Sequence, residues 1–432
     1  MIATLLFAVF IITMLLGVPI GASLGLAGAA AIALANAEAP WLGLLAVPQN
    51  FYAGLGKYPL LAIPMFVLVG SIFDRSGVAQ RLVNFAIALV GRGPGMLPLV
   101  AICVAMFLGG ISGSGPANAA AVGAVMIAAM NRAGYPASYS ASVVGAAAAT
   151  DILIPPSVAF IVYSVLVPGA SVPALFAAGM VPGVLAGIAL IVPAVWMARK
   201  HGMGQLESSL PRPPLLKSFI EAIWGLAAPV LILGGMRMGW FTPTEAAVVA
   251  VFYGLFVGMF VHRTMTLRDL FPILKESGEL SAVILLVVSL AGIFAFSLST
   301  LGVIDPITRA IVNSGLGEYG VLALLILMLI TVGMFLDGVS IFLIFVPLLW
   351  PIVQHYNWDP VWFGVLLTLK VALGQFTPPL AVNLMVSCRI AKVRMEETVR
   401  WVGPMLLAMG LVMVAVIIWP ELALWLPRVL GY

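Results

Sequence analysis

Residues 109–118, Gly109-Gly110-Ile111-Ser112-Gly113-Ser114-Gly115-Pro116-Ala117-Asn118, form a short, polar, glycine-rich break between two apolar runs. Leu97–Leu108 precedes the break and Ala119–Met130 follows it. Runs of about 12 to 16 residues make helices of roughly 18 to 24 Å. Crossing a hydrocarbon core of roughly 30 Å takes about 20 residues. Neither run therefore spans a membrane alone. The simplest geometry is a re-entrant hairpin, in which one half-helix enters, the tip turns near mid-membrane and the second half returns. Irregular backbone at that depth is tolerated only where protein or a watery cavity covers it. The tip is thus a candidate binding site.

Composition supplies the membrane. Of 432 residues, 63% are hydrophobic and 8% charged, with mean hydropathy +1.18, whereas soluble domains carry about 25% charged residues. The chain reads as an all-α polytopic membrane protein embedded in a lipid bilayer. Its net charge of +4 calls for no nucleic-acid partner, because loop Lys and Arg orient membrane proteins. Cys103 and Cys388 lie in apolar stretches and read as buried free thiols. Residues 1–16 contain no Lys or Arg, which argues against a cleaved signal peptide and for a first span.

Ten spans are expected, near 3–17, 21–36, 58–73, 137–166, 173–198, 218–236, 243–261, 278–298, 360–390 and 402–419, with hairpins near 95–131 and 318–355. Two spans are interrupted by paired prolines, in Ile154-Pro155-Pro156-Ser157 and Thr377-Pro378-Pro379-Leu380. The residue before a proline is pushed out of helical geometry, and proline is well tolerated at a first helical position. Each pair therefore ends one half-helix and starts another. Segments 78–90 and 303–315 mix apolar and polar residues and read as amphipathic interfacial arms. The polar loop 199–217, with Pro211, Pro213 and Pro214, is the natural midpoint.

With the N-terminus outside, the inner side receives fifteen basic residues: Arg75, Arg81, Arg92, Arg132, Arg199, Lys200, Arg212, Lys217, Arg263, Arg268, Lys275, Arg389, Lys392, Arg394 and Arg400. The outer side receives four, Lys57, Arg237, Arg309 and Arg428, and Lys370 falls inside a span. The positive-inside rule then places both termini outside, the first hairpin entering from the cytoplasm and the second from the opposite face.

Sliding the chain along itself until Gly110 meets Gly333 also brings Ser114 onto Asp337 and Pro155-Pro156 onto Pro378-Pro379. With the offset lengthened by one, Pro19 meets Pro243; lengthened once more, Ser76-Gly77-Val78 meets Leu301-Gly302-Val303. The halves are about 1–205 and 218–432, joined by a cytoplasmic linker at 206–217. Each holds five spans and one hairpin, and an odd number of spans turns the second half upside down. Inverted repeats of this kind place their sites at the midplane between broken helices. Four meeting points are predicted: tips near 110–118 and 333–340, breaks near 150–157 and 374–383.

A half-helix ending inside the membrane leaves orphan carbonyls, and one starting there leaves orphan amides. The first carries partial negative charge and suits Na⁺; the second suits a carboxylate. Ser112, Ser114 and Asn118 add oxygens at the first tip, as do Asp337 and Ser340 at the second. Thr150, Asp151, Ser157, Gln375, Thr377 and Asn383 flank the breaks. The alternative is that these small polar residues only pack helices and bond backbone. Asp151 and Lys370 lie within broken spans, where charges are costly and usually paired or functional. They form an ion pair, serve coupling or substrate charge recognition, or have separate partners. Asp337 is either functional or a cap for the half-helix after it.

At these residues the sequence resembles the large membrane subunit of tripartite ATP-independent periplasmic (TRAP) transporters. The matching pieces are Tyr58-Pro59-Leu60-Leu61-Ala62-Ile63-Pro64, Gly109-Gly110-Ile111-Ser112-Gly113-Ser114, Ile154-Pro155-Pro156-Ser157, Phe241-Thr242-Pro243-Thr244-Glu245-Ala246-Ala247 and Phe376-Thr377-Pro378-Pro379. The resemblance implies Na⁺-driven import of an organic acid, such as a C4-dicarboxylate, sialic acid or another sugar acid, across the bacterial inner membrane. It implies two partners, a periplasmic substrate-binding (P) protein and a small four-helix membrane (Q) subunit. It also implies an elevator, with hairpins and broken spans sliding against a scaffold. One Na⁺ would sit between Ser112, Ser114 and the break near Ile154, the other between Asp337, Gly338 and the break near Thr377. The candidate cation ligands are then Gly110, Ser112, Ser114, Ile154, Gly333, Asp337, Gly338, Gln375 and Thr377. The candidate substrate contacts are Asn118, Pro156, Ser157, Asp337, Ser340, Pro379 and Asn383. Asp151 and Gly115-Pro116 stand where the resemblance leads one to expect small neutral residues.

Two other readings compete. Gly110-Ile111-Ser112-Gly113 matches the Gly-x-Ser-Gly of an intramembrane serine protease, but His201, His262 and His355 all fall at span ends or in loops, and the serine needs a base within hydrogen-bond reach. No His-Glu-x-x-His, P-loop or dinucleotide fingerprint occurs, so the chain is not expected to be an enzyme. A stand-alone sodium–dicarboxylate symporter with the same hairpin plan is the nearer alternative.

Overall fold

The computed structural model describes residues 2–38, 40–90, 93–207, 212–334, 336 and 338–432. Arg92, Pro211 and Asp337, all invoked above, lie outside the described residues. The first half runs α1 (Ile2–Leu15), α2 (Ile20–Ala35), α3 (Pro40–Leu44), α4 (Ala46–Leu55), α5 (Ala62–Arg75), α6 (Val78–Val90), α7 (Met96–Ser112), α8 (Gly115–Arg132), α9 (Ala137–Ala148), α10 (Val158–Leu166) and α11 (Val172–Lys200). The second runs α12 (Leu215–Arg237), α13 (Pro243–Phe256), α14 (Leu267–Thr300), α15 (Ile304–Val312), α16 (Gly317–Gly333), α17 (Gly338–His355), α18 (Pro360–Gly374), α19 (Val382–Ala391), α20 (Val399–Ile418) and α21 (Glu421–Leu430). Among the described residues, seven helical stretches are long and apolar enough to cross a membrane.

Both expected hairpins are helix pairs, α7–α8 and α16–α17, and both paired prolines interrupt helices, between α9 and α10 and between α18 and α19. Helices α7 to α10 start at Met96, Gly115, Ala137 and Val158, and α16 to α19 start at Gly317, Gly338, Pro360 and Val382, so equivalent starts keep a nearly constant offset. Three details differ from the sequence expectation. The hairpin halves are 17 or 18 residues long, because Gly109–Ser112 stay helical and only Gly113 (φ +61°) and Ser114 make the first turn. Residues 40–55 form α3 and α4, which Pro40, Gly43, Pro48 and Gly54 hide by breaking the apolar pattern. Helix α14 starts at Leu267, well before the expected span at 278, because Thr266 and Asp269 form a capping box that satisfies its first amides.

Lipid tails are as apolar as leucine, so helices in a membrane associate through close packing rather than hydrophobic burial. Glycine supplies that packing here. On α2, a Cβ added at Gly21, Gly25 or Gly28 would meet Val287, Leu290 or Ile293 of α14 at 2.6–3.1 Å. Gly254 of α13 sits equally close to Ile72 and Phe73 of α5, and Gly225 of α12 to Val78 of α6. The first halves of the broken helices are the most enclosed: every residue of α9 from Ser138 to Ala148 is buried, as is every residue of α18 from Trp362 to Gly374. Tyr163 of α10 donates to the Pro360 carbonyl at 2.8 Å, tying the first broken pair to the second.

A polar clasp holds the base of the first hairpin. Glu207, in the loop after α11, accepts from the Leu97 amide at 2.9 Å and from the Tyr135 hydroxyl at 2.6 Å. The same hydroxyl accepts from the Gly95 amide at 2.7 Å. Burial pushes the Glu207 carboxyl above its ordinary 4.5, partly offset by the bonds from Tyr135 and Leu97.

Two outcomes follow. Gly28→Leu puts side-chain atoms against the Ile293 backbone, 3.1 Å from the position of the added Cβ, and should cost about 1–3 kcal/mol, read as a lower melting temperature in detergent. Because the folded-state pKa of Glu207 is raised, its protonated form is favoured by folding. That contribution is complete below about pH 4.5 and lost as pH rises through the folded value. Glu207→Gln should flatten the fall in melting temperature between pH 4.5 and neutrality; an unchanged slope would remove Glu207 as its source.

Candidate functional site

The tips and breaks are covered by one another. At the first tip, Gly113 sits so close to the first break that a Cβ there would lie 2.5 Å from the Pro156 carbonyl oxygen, and one at Gly110 would lie 3.6 Å from that of Pro155. Gly179 and Gly183 of α11 let the same break seat against the helix, next to the Leu153 carbonyl and the Ile154 side chain. The two Pro–Pro peptide bonds, 155–156 and 378–379, are both cis. At the second tip, a Cβ on Gly374 would lie 2.9 Å from the Gly333 carbonyl oxygen, and one on Gly338 would lie 2.6 Å from Val371.

The first tip also reaches the second break. A Cβ on Gly115, the first residue of α8, would lie 2.6 Å from Gln375 Oε1 and 2.7 Å from Asn383 Nδ2. Those two side chains bond each other at 2.9 Å, and the Asn383 amide donates to the Gln375 carbonyl at 3.0 Å. Between them lies a cavity of about 200 Å³, walled by Pro116, Gly333, Gly338, Gly374, Gln375 and Ala381, among others. The amide ends of α8, α17 and α19 and the carbonyl ends of α16 and α18 meet at its walls. Ala381 holds a left-handed φ of +38° there, an uncommon conformation for a residue with a Cβ.

Individual side chains divide by what they touch. Ser112, 5% exposed, donates to Asp151 Oδ2 at 3.1 Å. Asp151 is fully buried and its Oδ1 has no hydrogen-bond partner. Asn118 donates to the Ala105 carbonyl at 2.8 Å, bracing the two halves of its hairpin, and its Oδ1 is unpartnered. Asn383 is fully buried, also with an unpartnered Oδ1. Ser157 is absorbed locally: it donates to the Ile152 carbonyl at 2.6 Å and accepts from the Phe160 amide as the cap of α10. Thr377 donates to the Leu373 carbonyl at 2.6 Å. Pro156 and Pro379 lie in their breaks, and Ser340 is buried in α17.

The charged residues separate. Asp151 lies at the first tip, whereas Lys370 lies at the second, where a Cβ on Gly333 would run into its Nζ. Lys370 is 1% exposed and its Nζ has no hydrogen-bond partner. Among the described residues no ion pair joins it to Asp151; the ion pairs found there, such as Arg75–Glu276, are solvent-exposed. No histidine serves Ser112. His201 Nδ1 lies 3.0 Å from the Met197 carbonyl oxygen, and His262 Nδ1 lies 2.9 Å from that of Ser76.

The two tips therefore differ as cation sites. The first offers the Ser112 hydroxyl, a carboxylate with an orphaned oxygen and two nearby proline carbonyls, a set that fits a hard cation. At the second, among the described residues, the Lys370 amine lies against the carbonyl end of α16; Asp337, the acid expected there as a ligand, lies outside the described residues.

Of the cavity walls, Gly374 and Ala381 fall in the predicted break near 374–383, and sequence reasoning missed Val371, which carries no chemistry that would single it out.

Comparisons with known proteins agree with this architecture. The family described as the tripartite ATP-independent periplasmic transporter, DctM component, matches residues 7–422. The isethionate TRAP transporter permease protein DctMQ of Oleidesulfovibrio alaskensis is 36% identical over 409 residues, 94% of this chain and 63% of that protein. The chain thus spans less than two thirds of that relative's length. The C4-dicarboxylate TRAP transporter large permease protein DctM of Rhodobacter capsulatus is 35% identical over 99% of both chains. In fold, the crystal structure of the Alcanivorax borkumensis YdaH transporter aligns with TM-score 0.56 at 14% identity, covering 87% of this chain and 88% of that one.

Contact between the first tip and the second break is expected to depend on Gly115. Gly115→Val drives a branched side chain into Gln375 and Asn383 and should cost about 1–3 kcal/mol. Amide hydrogen exchange should rise at 375–391 and stay unchanged in α2 and α14; a uniform rise would mean that the contact is not local.

Proposed function

The chain belongs to the DctM-component family of tripartite ATP-independent periplasmic transporters, and from that premise we propose that it is the large membrane subunit of a Na⁺-coupled importer of a small organic acid. The observation that carries the substrate reading is the cavity of about 200 Å³ at the junction of both tips and the second break. Three helix amide ends meet at its walls, and helix N-termini favour anions. Asn383, with its side chain ordered by Gln375, stands beside that junction and orients an acid group through a hydrogen bond that a hydrophobic residue cannot make. The names of the relatives, for isethionate and for C4-dicarboxylates, support a small anion as the class.

A Na⁺ at the first tip would be held by Asp151 and Ser112 with the Pro155 and Pro156 carbonyls, and would supply positive charge and a link to the ion gradient. The residues themselves do the rest. Gly113 and Gly110 keep the tip seated on the break, so that ordering of the tip is felt at Pro156. Gly115 then passes that order to Gln375 and Asn383, since its Cα lies against both. In this reading the two halves run in opposite directions through the inner membrane, with both termini periplasmic. The hairpins and broken helices slide as a body against α1, α2, α12, α13 and α14. A periplasmic binding protein delivers the acid, and a small membrane subunit completes the scaffold.

The test is uptake in proteoliposomes containing this chain and its small subunit, with the cognate binding protein added outside. Succinate and isethionate serve as probes, with and without a Na⁺ gradient. Uptake is expected to require both Na⁺ and the binding protein, and Asn383→Leu should lower it about tenfold or more through lost alignment in protein of unchanged melting temperature. Indifference to Na⁺ would remove the coupling; transport by this chain alone would make it a stand-alone symporter.

A further inference from the structure

Lys370 carries a buried amine that the proposed transport reaction does not use. It sits on α18 one turn before Gly374, so that both residues lie on one face of the helix. Its Nζ is lodged against Gly333, the last residue of α16, where only the absence of a Cβ leaves room for it. Gly333 and Gly374 are the final residues of two half-helices whose backbones touch, the Gly333 carbonyl oxygen lying 2.9 Å from where a Gly374 Cβ would stand. Two carbonyl ends converging there make a pole of partial negative charge, which is the setting that attracts a cation. No acceptor among the described residues bonds the Lys370 Nζ.

The repeat sharpens the contrast. With Gly110 superposed on Gly333, the counterpart of Lys370 is Ala147 and that of Gly374 is Asp151. At these two positions the first tip carries an acid where the second has glycine, and the second carries an amine where the first has alanine, while Asp337 of the second tip aligns with Ser114 of the first.

We propose that the Lys370 ammonium is a tethered cation occupying the ion position of the second tip, so that this chain takes a free coupling cation at the first tip only. This rests on the Na⁺ reading of the first tip given above, and the two can fail separately. A tethered charge travels with the moving body in every state, loaded or empty. It therefore neutralises the carbonyl ends without drawing on the ion gradient, and it lowers the number of ions moved per substrate.

The experiment is equilibrium binding of radioactive Na⁺ to the full chain with its small subunit in nanodiscs. Wild type is expected to bind one Na⁺ per chain and Lys370→Met two, with Asp151→Asn losing one in either background. The second ion should also appear in the double variant K370M/D337N, since the helix ends hold it. If the gain is confined to K370M, Lys370 is only the counter-charge of Asp337 and the assignment is overturned. If wild type binds two, it is overturned whether or not K370M folds. If wild type binds none and K370M binds one, the Na⁺ reading of the first tip fails and the tethered cation stands. If K370M folds and binds no more than wild type, the tethered cation fails.

Discussion

Backbone amides and carbonyls within an apolar bilayer must find partners inside the protein, and a helix that stops there exposes several at once. This chain interrupts helices at four such places, two hairpin tips and two paired-proline breaks, and covers each with another. Glycine makes the cover possible: Gly113 against Pro156, Gly374 against Gly333 and Gly115 against Gln375 and Asn383 are approaches that a single methyl group would prevent. Helices α9 and α18, which carry the breaks, are buried along almost their whole length, and the glycine-lined contact of α2 with α14 is a separate one.

Mutual cover ties the tips to the breaks through contacts of a few ångströms. The first tip touches both breaks, the first through Gly113 and the second through Gly115. In the proposed reading, an ion at Asp151 and an acid beside Asn383 would be coupled through this packing.

The two halves are alike in backbone plan and unlike in charge. Equivalent hairpins and equivalent cis Pro–Pro bonds recur, yet Asp151 and Lys370 sit at opposite tips and do not neutralise each other. A buried ionisable group without a partner is expensive to charge. At the first tip the Ser112 hydroxyl donates to Asp151; at the second, the Lys370 Nζ lies beside the carbonyl end of α16 with no partner among the described residues.

The sequence by itself determined the membrane class, the hairpins and the breaks, because each rests on local physics. Apolar run length sets what can span, glycine and proline set where helices stop, and a constant offset between landmarks reports the repeat. It also identified Ser112, Asp151, Lys370 and Asn383 as unusual, since polar side chains in apolar surroundings stand out without any structure. What it left open was who meets whom. Asp151 and Lys370 fall one helical turn apart when the halves are superposed, which suggested a pair, but superposed positions are related by a rotation and need not touch. Sequence alone does not show that the Ser157 hydroxyl donates to the Ile152 carbonyl. The contact of Gly115 with Gln375 and Asn383 joins residues from opposite halves of the chain, and nothing local encodes it. Only the tertiary structure decided these pairings, because they depend on how closely backbones approach, and a glycine announces in sequence that something comes near without saying what.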